Sequence, residues 1–300
     1  MNNKEKIDEK QNANKGLVAY FVLLTFLCAS FIIGAKVLGK NGMYLAQGYM
    51  ITPALAAIIT RLFFYKGKFY DAKLRFGKVK DYFKFWIYSL VIVIVSYLVY
   101  YAIGAIKWDL TGQTFLTNLE LQFKNAGQNM YSSLPEGMTP KNMMWLLMIG
   151  QLTVLNILPG IITGFGEEFG HRGFMYIQLK KHGLFLSLIV GGLIWFAWHL
   201  PLQFVIPKTY DFTTAQTILN YFIMSIGGIC TFIYLVYVFE KSQSIWVVSL
   251  AHIVLNNASA AFSYLIIIQN QFLANLGLAI TMLLVVLLGV GKYFIKQVKQ

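Results

Sequence analysis

The chain has 300 residues, of which 57% are apolar and 12% charged, and its formal net charge is +13. A soluble domain carries about 25% charged residues, so this balance, with a mean hydropathy of +0.60, excludes an ordinary soluble globule and specifies an integral membrane protein. The positive excess lies beside apolar runs, where it is a topology signal rather than a nucleic-acid footprint, and no nucleic-acid partner is expected.

Residues 1–16 are polar, mixed in charge and without an apolar face, and predict a disordered cytoplasmic tail. The first apolar run, Leu17–Leu38, is too long for a cleavable signal peptide and lacks a small-residue cleavage pattern. It is long enough to cross a hydrocarbon core, which takes ~20 helical residues. Comparable runs follow near Tyr44–Tyr65, Tyr82–Ile106, Met143–Leu179, Leu184–Val205, Ala215–Phe239, Ile245–Ile268 and Leu273–Ile295. The expected architecture is an all-α, polytopic membrane helix bundle of about eight transmembrane helices. The fourth run is longer than a simple span, and Pro159-Gly160 inside it predicts a kink. Three blocks follow the tail: N-terminal transmembrane helices over 17–106, an extracytoplasmic connecting segment over 107–142, and a core over 143–300. No internal repeat supports an inverted-repeat transporter. Cys28 and Cys230 both fall in apolar segments and read as packing residues.

An even number of spans places both termini on one side. Lys36, Lys40, Lys107, Lys124, Lys141 and Lys208 then share the opposite side, leaving nineteen of the 25 Lys and Arg with the termini. By the positive-inside rule the protein is multi-pass in the cell membrane with both termini cytoplasmic. The link Arg61–Lys84 interleaves basic and aromatic residues. It suits either an interfacial helix on anionic lipid or a solvated topology signal.

Against this background Glu167 and Glu168 stand out, because they lie inside an apolar run and are two of only 12 acidic residues. A carboxylate at bilayer depth costs at least ~2.5 kcal/mol and needs a reason. On a helix Glu167 stacks over His171 and Glu168 over Arg172. The Glu168–Arg172 pair reads first as a buried ion pair holding helices in register. Glu167 has further polar groups to meet: His199 in Trp195-Phe196-Ala197-Trp198-His199, and His252 with Asn256 one turn later. His182 sits in a basic turn and reads as solvated. Counted from the cytoplasmic ends at 1.5 Å per residue, Glu167, His199, His252 and Asn256 lie roughly 12 to 25 Å inward, a common layer.

A Glu and a His meeting in a dry cavity can hold a water and take its proton, and a second His with an Asn can donate to a developing oxyanion. Those parts describe hydrolysis of a carbonyl, with an amide as the expected substrate, by directly activated water, since no GxSxG serine motif is present. A zinc ion held by Glu167, His199 and His252 is the competing chemistry, although the HExxH spacing is absent. The preferred mechanism requires no cofactor.

Glu167-Glu168-x-x-x-Arg172, then Trp195-x-x-x-His199, then His252-x-x-x-Asn256 resemble the CPBP family. That family comprises CAAX prenyl endopeptidases, bacteriocin-processing proteins and bacteriocin self-immunity (Abi) proteins. The resemblance covers about Met143–Ile268. It implies an intramembrane endopeptidase acting on a CAAX-type or bacteriocin- or signal-peptide-like substrate. Glu167 and His199 would activate water, His252 and Asn256 would stabilise the oxyanion, and Glu168, Arg172 and Trp195 would support them. Trp195 departs from the family's usual Phe, a change expected to alter pocket shape more than chemistry. His171 falls at a variable position of the motif and is given no role. The alternatives are a non-enzymatic bacteriocin immunity protein and, with less support, an ion-coupled transporter. Membrane lipids and an unidentified peptide are the expected partners, and the sequence does not specify an oligomeric state.

Overall fold

A computed structural model of the chain describes residues 3–39, 42–125, 127–205 and 212–298. In chain order the elements are α1 (Asn3–Val37), α2 (Gly42–Tyr49), α3 (Thr52–Phe64), α4 (Val79–Ala102), β1 (Ile106–Trp108), α5 (Gln113–Asn125), α6 (Pro140–Leu152) and α7 (Val154–Gly170). A π-helical turn (His171–Tyr176) leads through α8 (Ile177–Lys180) to α9 (Leu184–His199), which ends in a 3-10 turn (Leu200–Phe204). Then come α10 (Thr214–Ser242), α11 (Ile245–Ser263), β2 (Ile266–Ile268) and α12 (Gln271–Val285), which runs through a second π-helical turn into α13 (Gly291–Val298). The molecule is an all-α, multi-pass membrane bundle.

Six helices are long and apolar enough to cross a membrane, and a seventh span is formed if α6 and α7–α8, bent by 53° at their junction, are taken together. The expected count of eight is therefore not confirmed among the described residues. The difference lies in the run Tyr44–Tyr65, which is split into helices of 8 and 13 residues, each too short to span alone. Pro53, at the first turn of α3, is the start signal that breaks it. The broken pair still runs back along α1: a Cβ on Gly48 would meet the Phe31 ring, and one on Gly16 the Tyr65 ring.

Other expectations shift in the same local way. The bend in the fourth run falls at Thr153, between α6 and α7, and Pro159 is carried inside α7. Residues 3–16, expected as disordered tail, form the first turns of α1, where Lys, Glu, Gln and Ala are good helix formers. The seventh run leaves the helix after Ser263, and Ile266–Ile268 pair antiparallel with Ile106–Trp108. That ribbon ties together the far ends of α4 and α11.

At the opposite end the basic links gather. Lys73 and Lys180 share the Glu240 carboxylate at 3.3 and 2.8 Å, and Arg75 donates to the Gln243 carbonyl at 2.6 Å. Burial pulls the Lys73 amine below its ordinary range, with Glu240 opposing. Arg61, also buried, pairs with Asp71 at 2.6 Å and donates to the Gly173 carbonyl. These contacts bring the 61–84 link, the turn after α7 and the end of α10 together; Lys40, Lys208 and Lys299 lie outside the described residues.

Candidate active site

The site is built on α7, whose backbone is gripped from two sides. Gly160 and Gly164 face α11, where an added Cβ on either would come within 2.7 Å of the Ile253 side chain. Gly166 and Gly170 face the α2–α3 break: a Cβ on Gly166 would meet the Met50 carbonyl oxygen at 3.0 Å, and one on Gly170 would meet Pro53 at 2.3 Å. Two small-xxx-small pairs thus let two neighbours approach at backbone distance. Glu167 and Glu168 sit between these contacts, so neither can shift along the bundle without moving three helices.

Adjacent residues on a helix point about 100° apart, and the two acids have different partners. Glu167 is 3% exposed. The indole N–H of Trp195 donates to its Oε1, and His199 Nε2 and His252 Nδ1 lie 3.8 and 4.0 Å from the same oxygen. Glu168 is fully buried; its Oε1 accepts from Arg172 at 2.7 Å and from His252 Nδ1 at 2.7 Å. Arg172, also fully buried, lies over the rings of Trp195 and Phe232 at 5.0 and 4.5 Å. The ion-pair reading of Glu168 and Arg172 therefore agrees with the geometry, and Glu168 additionally orients His252.

The hydrogen bonds fix the imidazole tautomers. His199 closes α9, and its Nδ1 lies 2.8 Å from the Trp195 carbonyl. A carbonyl only accepts, so Nδ1 carries the proton and the neutral ring turns a lone pair on Nε2 toward Glu167. His252 donates from Nδ1 to Glu168, so Nε2 is a donor only in the imidazolium. Two buried carboxylates beside one guanidinium leave one negative charge that a cationic His252 would balance.

These groups back onto a cavity of about 340 Å³. Its wall includes Trp195, His199, His252 and Asn256 on one side, and Met224, Leu278 and Met282 from α10 and α12 on the other. Glu167 is not among the described lining residues; it stands behind Trp195 and the two imidazoles. Asn256, one helical turn beyond His252, lines the cavity beside it. His171 is buried edge-on against Trp198 at 5.1 Å.

The carboxylate and imidazole atoms of Glu167, Glu168 and His252 lie within 4.8 Å of one another, close enough to be tested as a metal site. The set Glu167, His199 and His252 is not gathered as tightly, although both imidazoles lie within 4.0 Å of Glu167 Oε1. Both sets use His252 Nδ1, which is protonated toward Glu168, and both place a dication beside the fixed charge of Arg172. These donors fit a divalent cation poorly.

Sequence reasoning treated Trp195 as a matter of shape, yet its N–H is bonded to the acid. A buried indole needs an acceptor, and that was the available signal. Trp195→Phe keeps a ring but removes the donor; a hydrogen bond to a charged group is worth ~1.5 to 3 kcal/mol. Steady-state assays of this variant are expected to show kcat lower by on the order of tenfold with KM unchanged. Also missed were the α2–α3 break and its contacts to α7 and α9, which link residues more than a hundred positions apart.

Among curated proteins, none matches this chain. Residues 149–258, which hold every motif residue named above, match the family model described as type II CAAX prenyl endopeptidase Rce1-like. The resemblance to the CPBP family read from the three motifs is thereby borne out, and over this segment the chain is similar to the Rce1-like type II CAAX prenyl endopeptidases.

Proposed function

We propose that the protein is an intramembrane endopeptidase that hydrolyses a peptide bond with water activated by Glu167 and His199. The carrying observation is the meeting of Glu167, His199 and His252 from α7, α9 and α11 around one carboxylate oxygen, at 3.8 and 4.0 Å, against a cavity that Asn256 also lines. The separation from His199 Nε2 exceeds a direct hydrogen bond and suits a water bridging it to Glu167. The water oxygen attacks the scissile carbonyl carbon while its proton passes to Glu167. The resulting oxyanion is met by His252 Nε2 and the Asn256 amide. Collapse breaks the C–N bond, and the leaving amine takes the proton back from Glu167, with His199 as its partner.

The family match supports a CAAX-type peptide substrate, and a bacteriocin- or signal-peptide-like segment is the second class to test. The mechanism uses no metal, on the donor argument above. Both termini are proposed to be cytoplasmic, on the side of the basic links. The test is cleavage by the purified protein in nanodiscs, followed by mass spectrometry. Prenylated and unprenylated peptides ending in Cys-aliphatic-aliphatic-X are offered beside leader-like peptides. Cleavage should persist in the presence of EDTA or phenanthroline and disappear in Glu167→Gln. Loss with chelator and recovery with Zn would overturn the metal-free mechanism. Absence of cleavage, with bacteriocin protection retained in Glu167→Gln cells, would replace the enzyme with an immunity protein.

A further inference from the structure

We infer that the α2–α3 break is a positioning device for the Glu167–His199 pair, with Tyr49 as its principal residue; this rests on the reading of that pair as the water-activating groups. The break lies outside the segment that matches the family, which begins at residue 149. It nevertheless touches the residue immediately before each member of the pair.

On the α9 side, the Tyr49 hydroxyl donates to the Trp198 carbonyl at 2.6 Å, and the two rings stack at 5.0 Å. That carbonyl has a reason to need an outside donor. The chain passes from α9 into a 3-10 turn at Leu200. In such a turn the Trp198 carbonyl would look three residues on, to Pro201, which has no N–H. Tyr49 supplies the missing donor and so fixes the helix end that carries His199. The Trp198 indole is held by the same break, donating to Thr52 Oγ1 at 3.4 Å, while the Thr52 hydroxyl donates to the Tyr49 carbonyl at 2.8 Å.

On the α7 side, Gly166 rests on Met50 and Ile51, and Gly170 on Pro53. Residues 49–53 therefore set α7 and the end of α9 relative to one another, and with them the 3.8 Å between Glu167 Oε1 and His199 Nε2. A continuous helix through residues 50–52 would offer neither the recessed backbone under Gly166 nor the same placement of the Tyr49 ring.

Tyr49→Phe retains the stacked ring and removes only the hydroxyl. Gly166→Ala pushes a methyl against the Met50 carbonyl, whereas Gly150→Ala, with nothing within 4 Å of its Cβ, is the control. A displacement of about 1 Å near reacting groups can lower a rate by on the order of a hundredfold. Tyr49→Phe and Gly166→Ala are expected to lower kcat between tenfold and a hundredfold, by the same relation, with KM and the thermal midpoint close to wild type and Gly150→Ala unchanged. A residue that only stabilised the fold would lower the midpoint and leave kcat of the folded protein intact; that result overturns the proposal. A second readout does not depend on activity. A structure of Tyr49→Phe should show the Glu167–His199 separation widened beyond 3.8 Å, and an unchanged separation overturns the proposal whether or not the wild type cleaves. If the separation widens but the wild type cleaves no peptide, the enzymatic reading fails and the positioning role stands.

Discussion

Glu167→Gln is expected to lower kcat by on the order of a thousandfold, within the range for losing a general base, while the protein stays folded. The amide is isosteric and its oxygen can still accept from the Trp195 indole, so the packing around α7 is kept. What disappears is a group able to take the proton of an attacking water. Because that interaction develops in the transition state, KM should change little while kcat and kcat/KM fall together. His199→Ala should fall by a comparable factor. The double variant should be scarcely worse than either single one, since residues that act as a unit are not additive. Steady-state turnover of nanodisc-embedded protein, with thermal melts run alongside, makes the measurement. A Glu167→Gln protein turning over at the wild-type rate would remove the acid from the mechanism.

The largest stability loss is expected at Arg172, and it should leave a different signature. Arg172 and Glu168 are both fully excluded from solvent and meet at 2.7 Å. Arg172→Met leaves Glu168 as a buried carboxylate with only His252 to answer it, and breaking such a pair costs ~3 to 5 kcal/mol. The aromatic cradle of Trp195 and Phe232 accepts a methionine side chain well, so little of that loss would come from packing. Glu168→Gln in the same protein should restore much of the stability, because the Glu167 carboxylate and a cationic His252 then remain as a balanced pair. Denaturant or thermal unfolding of the single and double variants gives the coupling energy directly. Strictly additive losses would show that the two residues do not act as a pair.

Much of this site could be read from the chain because charge is scarce in an apolar sequence. Glu167, Glu168, His199, His252 and Asn256 each stood out against a hydrophobic background; the structure places His199, His252 and Asn256 on one cavity wall, with Glu167 behind the two imidazoles. The division of labour between the acids was partly legible as well, since Glu168 has Arg172 one turn away. What the sequence concealed depends on contacts between distant segments. The Trp195–Glu167 bond joins two helices whose adjacency no local pattern reveals. The break at residues 50–52 sits inside a run that is apolar from end to end, where a hydropathy reading has no contrast to detect, and only Pro53 marks it. The Thr153 bend was likewise placed at Pro159, the residue with the stronger local signal, although a proline within a helix can be absorbed when neighbouring groups compensate.

The cavity divides into two faces of different ancestry in the chain. One is made of the imidazoles and amide that α9 and α11 contribute; the other includes apolar side chains, Met224 on α10 and Leu278 and Met282 on α12. Methionine adapts its shape readily, and none of these three touches the acid. On the proposed reading, exchanging side chains on α10 and α12 would change which peptide is admitted while leaving Glu167, His199 and His252 in place.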